Sequence, residues 1–308
     1  MHRKYCCCNF EISNTNTVDR KDFIKKGLLG TGMFAASAVL GNVLKNNIDE
    51  IKELDLLGFN HIPNTNSKIM ENTILHRAET RGIANHGWLE SCHTFSFANY
   101  HNPERMHFGV LRVLNDDKVE AGRGFGTHPH DNMEIISIPL EGDLEHKDSM
   151  GNTTVIKSGD IQIMSAGTGI MHSEFNKNAD RPVKFLQIWL YPNKRNVTPR
   201  YDQMTLDIKQ RHNRFQQILS PDPADEGVWI HQNAWFHLGN FDTGFETEYA
   251  VKSRGNGVYA FILRGSAEIE GQQLNARDGF GIWDVEKLRI RCGAADTEIL
   301  LMDVPMSL

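Results

Sequence analysis

The sequence of 308 residues predicts an all-β protein with two β-barrels in tandem. Short runs of β-type residues follow each other at regular spacing, which is typical of a sandwich or a barrel. Turn residues such as Glu141-Gly142 and Ser149–Asn152 separate these runs. The strand–glycine–strand pattern of residues 135–146 occurs again at 259–269. Such an internal repeat indicates that one structural unit is present twice.

The first barrel is predicted to span residues 71–190. Its expected strands, in chain order, are 93–98, 108–114, 134–140, 143–146, 160–165 and 185–190. In residues 93–98 the large rings of His93, Phe95 and Phe97 alternate with small side chains, which is the period of a half-buried strand. The polar run Asn115-Asp116-Asp117 is interpreted as the turn that closes the second.

A linker is predicted at residues 191–200, and the second barrel at 201–308. The segment 278–282 parallels 159–163 of the first barrel. We expect the second barrel to be metal-free and to serve as packing or as a lid. His231 and His237 stand beside aromatic residues and are interpreted as core or surface side chains.

The N-terminus is not predicted to be part of either barrel. A charged stretch at residues 19–26 precedes an apolar run at 27–41, which contains the A-x-A-type site Ala36-Ser37-Ala38. Residues 1–41 are therefore predicted to be an export signal, similar to a twin-arginine signal in which Lys21 replaces the second arginine. A disordered or amphipathic extension is the alternative, which would leave the protein in the cytoplasm. The apolar run is too short to span a membrane, and residues 42–70 are predicted to be a polar tether.

The charge balance and the cysteines exclude other classes of protein. Lys and Arg number 33 and Asp and Glu 39, a formal net charge of −6, which argues against a broad phosphate-binding surface and a nucleic-acid partner. Five cysteines include the triplet Cys6-Cys7-Cys8, and only Cys92 and Cys292 lie in the body of the chain. This is not a disulfide framework.

Two short motifs predict a metal site. His128 and His130 form one i, i+2 pair, and His172 and Glu174 form another. On a β-strand, residues i and i+2 point to the same face, so two neighbouring strands would aim four donors at one interior point. Three imidazoles and one carboxylate suit Fe, Ni, Cu or Zn.

The segments around these donors resemble the two cupin motifs, and their residues are most similar to those of the pirin family. Segments 124–152 and 158–176, which contain the HPH and HSE motifs, carry the similarity, together with 87–100 and 108–119. The branch that the chain most resembles is the bacterial pirin-like quercetin 2,3-dioxygenases. The cupin resemblance implies two cupin barrels, which are double-stranded β-helices.

The resemblance also implies the ligands and the reaction. In the pirin family the ligands are the two His of HPH and the His and Glu of HSE, here His128, His130, His172 and Glu174. General cupin motifs would instead select Glu134, which strand parity places on the face of His128 and His130. One divalent metal is implied, with Fe(II) as the expected ion and Ni, Co, Cu or Zn as alternatives. The implied substrates are a flavonol such as quercetin and O₂, with Glu174 as the first candidate for the base and Glu134 as the second.

Two other functions remain open at this point. The first is a metal- or redox-sensing regulatory protein of the kind found among eukaryotic pirins, although the sequence has no helix-turn-helix and no basic stripe. The second is a cupin oxygenase with a non-flavonoid substrate. An export signal would argue against the regulator. The sequence does not indicate an oligomeric state.

Overall fold

Residues 72–308 are the part of the chain that the computed structural model describes. In this part the helices are two 3-10 turns, Ala78–Thr80 and Ile208–Arg211, and all other regular structure is β-strand. The predicted export signal and the predicted tether lie outside the described residues and stay predictions. No helix within 72–308 has the length and apolarity needed to cross a bilayer.

The first barrel is formed by two sheets. The larger sheet is antiparallel and has, in spatial order, β12 (Arg200–Thr205), β9 (Asp160–Ser165), β6 (Glu134–Glu141), β11 (Val183–Leu190), β4 (Leu111–Val119), β3 (Leu89–His93) and β2 (Gly82–Asn85). The smaller sheet has β5 (Gly124–His130), β10 (Ile170–Asn176), β7 (Asp143–Asp148) and β8 (Thr153–Lys157).

The second barrel repeats this arrangement. Its larger sheet has β1 (Thr73–His76), β20 (Gly279–Trp283), β17 (Asn256–Arg264), β22 (Thr297–Pro305), β15 (Trp235–Phe241), β13 (Phe215–Ser220) and β14 (Val228–Trp229). Its smaller sheet has β16 (Glu246–Ala250), β21 (Lys287–Cys292), β18 (Ser266–Ile269) and β19 (Gln272–Asn275). The predicted fold class, two all-β barrels in tandem, is confirmed.

The two barrels exchange one strand each. β1 precedes the first barrel in the chain but pairs with β20 of the second, where Thr73 lies opposite Ile282. β12 follows the linker but pairs with β9 of the first, where Tyr201 lies opposite Met164. The predicted boundaries at residues 71 and 201 therefore do not coincide with the sheets to which these two strands belong.

The larger sheets of the two barrels pack against each other through their outer faces. One buried cluster joins Ile136 and Ile188 of the first barrel to Phe236 and Met302 of the second. Burying a side chain of this size contributes about 1.5–3 kcal/mol. The largest apolar cluster of the described residues therefore lies between the barrels, and it fixes them as one body.

The interiors of the two barrels differ in polarity. The second is filled by an apolar cluster that includes Phe241, Val258 and Leu288. In the first, two small apolar clusters are separated by polar side chains. Four of these occupy directly opposed positions on neighbouring strands and are buried, namely Asn115, Gln187, Ser137 and Gln162. The first barrel thus has a polar interior in which a site can form.

Two predicted elements differ from the structure. The polar run Asn115–Asp117 is not a turn, because β4 continues to Val119. Its Asn115 and Asp117 point into the barrel, where Ser91 donates a hydrogen bond to Asp117. The predicted strand 93–98 is also wrong, since β3 ends at His93 and the chain leaves the sheet there. Residues 93–96 are all buried instead of alternating, and Phe95 belongs to the cluster between the barrels.

A glycine at the contact between the barrels gives a stability prediction. Gly109 has a φ of 51°, and a Cβ there would lie 2.1 Å from the carbonyl oxygen of Pro305. Gly151 also has a positive φ, 96°, but an added Cβ meets nothing within 4 Å. Both alanine variants take on left-handed strain of roughly 1–2 kcal/mol. Only Gly109→Ala adds overlap with backbone, typically a further ~1–3 kcal/mol.

Thermal and chemical denaturation of the two variants measures this difference. We expect Gly109→Ala to have the lower melting temperature and Gly151→Ala to lie between it and the native chain. If both variants lose the same amount of stability, the backbone at Pro305 must move away from the added Cβ without an energetic cost.

Candidate metal centre

Three imidazoles meet between β5 and β10. His128 lies directly opposite His172, and His130 lies opposite Ile170. The ring centroids of His128 and His172 are 4.4 Å apart, those of His130 and His172 are 4.8 Å apart, and those of His128 and His130 are 4.9 Å apart. One ring nitrogen from each of the three lies within 4.8 Å of the others. The structure therefore brings the three predicted histidines together.

Local chemistry explains how β5 presents its two histidines. Pro129 between them has no N–H to donate, and β5 is the edge strand of its sheet, where this is tolerated. The Nδ1 of His128 lies 2.8 Å from the carbonyl oxygen of Gly126. Because a carbonyl can only accept, Nδ1 carries the proton and the lone pair of the neutral ring is on Nε2.

Glu174 adjoins this cluster through His172. A carboxylate oxygen of Glu174 and nitrogens of His146 and His172 lie within 4.8 Å of one another, as a second group of donors. A β-bulge between His172 and Glu174 shifts the pairing with β5, so that Glu174 lies opposite Phe125. The structure thus places the four predicted ligands in two overlapping groups that share His172.

The Glu174 carboxyl group is buried in the polar interior. The hydroxyl of Ser137 donates a hydrogen bond of 3.1 Å to its Oε1. Burial raises the pKa of Glu174 to about 7, and the negative charge of Asp117 acts in the same direction. This carboxyl group is accordingly close to half-protonated at neutral pH.

His146 lies closer to the centre than the sequence indicated. The turn after β7 forms around Asp148, which accepts backbone N–H groups of Met150 and Asn152. However, His146 is a buried residue of β7, opposite Glu174. Its Nε2 lies 3.1 Å from Asp148 Oδ2. The sequence does not show that β7 pairs with β10, and only this pairing places His146 on the side of Glu174.

Glu134 lies on the other face of its sheet. Its Oε2 accepts a 2.8 Å hydrogen bond from the Ser165 hydroxyl, and the backbone N–H of His231 lies 3.3 Å away. The expectation that Glu134 shares a face with His128 and His130 is wrong. The chain turns at Asn132, whose φ is 46°, between two different sheets, so strand parity does not continue from β5 into β6.

An aromatic wall lies beside the histidines. The Trp189 ring is 4.9 Å from that of His130 and 5.4 Å from that of Phe97. Met164 and Ile170 belong to the apolar cluster against which Trp189 packs. Ile161 and Ile163 instead face the cluster between the barrels. Trp189 was missed from the sequence because it lies outside both motifs, on β11, which belongs to the other sheet.

The buried imidazoles fit a divalent cation. Within residues 72–308 neither ring nitrogen of His172 has a hydrogen-bond partner, although both are buried. Burying unpaired polar atoms is costly. Burial lowers the pKa of His130 to about 3 and also lowers the pKa values of His128 and His172, so all three rings are neutral at pH 7. Neutral imidazole is the form that binds a metal.

The fold and this cluster together define a bicupin with one histidine-rich centre, which lies in its first barrel. The comparisons with known proteins agree. The family model described as Pirin matches residues 76–190, and the model described as Quercetinase C-terminal cupin domain matches residues 217–304. The chain belongs to the pirin family.

This chain matches several relatives over nearly the whole length of each relative. The quercetin 2,3-dioxygenase of Escherichia coli (strain K12) is 43% identical over 231 residues, which are 75% of this chain and 98% of the relative. A pirin-like protein of Caulobacter vibrioides is 37% identical, over 72% of this chain and 95% of the relative. The crystal structure of the bacterial pirin YhhW from E. coli in complex with nickel(II) superposes with a TM-score of 0.72 at 42% identity, over 76% of this chain and 99% of that one.

Proposed function

We propose that this chain is a metal-dependent dioxygenase that opens the ring of a flavonol such as quercetin with O₂. The observation that carries the proposal is the buried cluster of three histidines with Glu174 beside it. The identity of 43% with a quercetin 2,3-dioxygenase supports the substrate class.

The residues that would hold the metal are His128, His130, His172 and Glu174. Fe(II) is the expected ion, and the nickel(II) complex of the related YhhW supports nickel as an alternative. Bound there, a divalent metal acts as a Lewis acid that lowers the pKa of a ligating hydroxyl group.

The side chains of the protein would transfer a proton and donate a hydrogen bond to the substrate. Glu174 is the proposed base, because a carboxyl group with a pKa of about 7 both accepts and releases a proton at neutral pH. The Ser137 hydroxyl orients it. The indole N–H of Trp189 is buried and has no partner among residues 72–308, so it is available to donate to a substrate oxygen.

Oxygen consumption tests the activity directly. The protein is loaded without air with Fe(II), Ni(II), Co(II) or Cu(II), and O₂ uptake and ring opening are followed with quercetin. We expect uptake with at least one metal and none with His172→Ala treated in the same way. Metal-loaded protein that consumes no O₂ with any flavonol would favour the non-flavonoid oxygenase or the regulator.

Proton release on metal binding tests Glu174 as a ligand. Its raised pKa means that it is mostly protonated at pH 6 and ionised at pH 8, while burial lowers the pKa values of the three histidines. Metal must displace the proton, so affinity falls as the pH falls through about 7. Calorimetry in buffers of different ionisation enthalpy should show about one proton released at pH 6 and few at pH 8.

Glu134→Gln is the matched control for that measurement. Burial also raises the pKa of Glu134 to about 7, but its carboxylate faces the second barrel. We expect Glu134→Gln to keep the released proton and Glu174→Gln to lose it. If Glu174→Gln still releases a proton when it binds metal, that proton comes from another group.

The location of the protein bears on the competing regulatory function. We propose that the first 38 or so residues are removed on export, as the A-x-A-type site predicts. Mass spectrometry of the protein from its native host should then find a mature terminus after Ala38. An intact Met1 in the cytosolic fraction would remove the export proposal and return the regulator to consideration.

A further inference from the structure

The second barrel has a cavity, largely open to solvent, on the side that corresponds to the histidine cluster of the first. The two barrels align through Gly142 and Gly265, which both have a positive φ, 77° and 75°. His146 then corresponds to Ile269. Its cross-strand neighbour Glu174 therefore corresponds to Ile290.

The same alignment assigns the remaining donors. Two residues before Ile290 is Leu288, at the position of His172. Leu288 lies opposite Tyr249, as His172 lies opposite His128. Three of the four predicted metal donors, His128, His172 and Glu174, are thus replaced by one phenol and two aliphatic side chains.

Tyr249 nevertheless belongs to a buried polar cluster. Its hydroxyl donates to Asp303 Oδ2 at 3.0 Å and lies 3.3 Å from His237 Nδ1. The carboxylate also accepts from the backbone N–H of Lys252 at 2.7 Å and from the amide of Asn256 at 2.7 Å. A cluster of this kind is costly to bury in an apolar barrel unless it is well paired, and here it is paired.

The direction of these hydrogen bonds determines which ring nitrogen of His237 carries the proton. The Tyr249 hydroxyl has one proton, which it gives to Asp303, so the contact with His237 is made by a proton on Nδ1. The lone pair of the ring is therefore on Nε2. Burial lowers the pKa of His237 to about 3, which keeps the ring neutral. Its Nε2 can therefore accept a hydrogen bond.

A cavity of about 310 Å³ adjoins this cluster. His237 and Tyr249 line it, Phe215 provides an aromatic wall, and Arg214 and Lys252 bring positive charge to it. The acidic residue of the lining, Glu248, is paired with Lys287 at 2.9 Å outside the cavity. The volume is at the lower end of the range for small-molecule sites.

We propose that this cavity is a second, metal-independent binding site for a small phenolic carboxylate, a single aromatic ring that carries one hydroxyl and one carboxylate group. The hydroxyl donates to His237 Nε2, the ring packs against Phe215 and Tyr249, and the carboxylate faces Lys252 and Arg214. This proposal is independent of the reaction in the first barrel.

Calorimetric titration with 4-hydroxybenzoate tests the site in the full chain kept metal-free with EDTA. We expect one equivalent to bind. Benzoate, which lacks the donor, should bind about tenfold more weakly, the effect of one hydrogen bond to a buried acceptor. Equal binding of the two ligands would overturn the role of His237.

Two lysines provide a matched pair of variants. Lys252→Met removes an exposed charge at the cavity and leaves its backbone N–H on Asp303, so the fold should persist. Lys157→Met removes an exposed charge from β8 of the first barrel. We expect about tenfold weaker binding for the first and a change within about twofold for the second.

His237→Phe completes the test. It should reduce binding of 4-hydroxybenzoate to that of benzoate, whereas His128→Ala in the first barrel should leave binding unchanged. No saturable binding to the native chain up to about 10 mM, or native affinity in both Lys252→Met and His237→Phe, would overturn the proposal.

Discussion

His172→Ala should leave the protein folded but without metal. His172 is the residue shared by the two donor groups, so its loss removes one ligand from each. His128→Ala should have the same result, because only two imidazoles then remain in the cluster. Metal analysis after gel filtration should fall from about one equivalent in the native chain to near zero in either variant.

His231→Ala is the control for these changes. His231 is partly buried beside Trp229, with ring centroids 4.9 Å apart, and its backbone N–H donates to Glu134. It should keep its metal. Metal should also raise the melting temperature of the native chain and of His231→Ala, but not of His172→Ala. Two equivalents of metal, or binding that survives both first-barrel changes, would contradict a single centre held by these histidines.

Glu174→Gln should reduce turnover with quercetin far more than Glu134→Gln. The amide keeps the shape of the side chain and its contact with Ser137 but cannot accept the substrate proton. Loss of a general base typically costs about 10²–10⁴-fold in rate. Glu134 is on the opposite face of the sheet, so its change should stay within about tenfold, the effect of one perturbed hydrogen bond.

The rates must be compared at equal metal content, because Glu174 is also a proposed ligand. Rapid-mixing measurements on fully loaded samples separate the two roles. If the order of activities is reversed, the base is Glu134 and the proton leaves through the contact between the barrels.

Much of the metal centre could be predicted from the sequence, because the i, i+2 spacing keeps its meaning inside one strand. That is why the two motifs gave three histidines on one side of the smaller sheet. The same reasoning failed for Glu134, since a turn at Asn132 separates it from His130. Parity cannot be carried across a change of sheet.

The other differences arise from pairing between distant parts of the chain. Asn115 and Asp117 have the composition of a turn, yet they line the interior because Gln187 and other polar groups face them. The exchange of β1 and β12 has no local signature at all. A strand reveals its own faces in the sequence, but not the neighbour with which it pairs.

That exchange also sets an order for folding during synthesis. The first barrel cannot be completed when the ribosome reaches the linker, because β12 has not yet emerged, and with it Tyr201, whose ring lies 4.8 Å from that of His146. β1 is made before either barrel, but its partner β20 is among the last strands to be made. A chain cut at the linker would lack the edge strand β12 and the Tyr201 ring that packs beside His146. Because each barrel needs a strand from the other side of the linker, we expect the smallest piece that folds to contain both barrels.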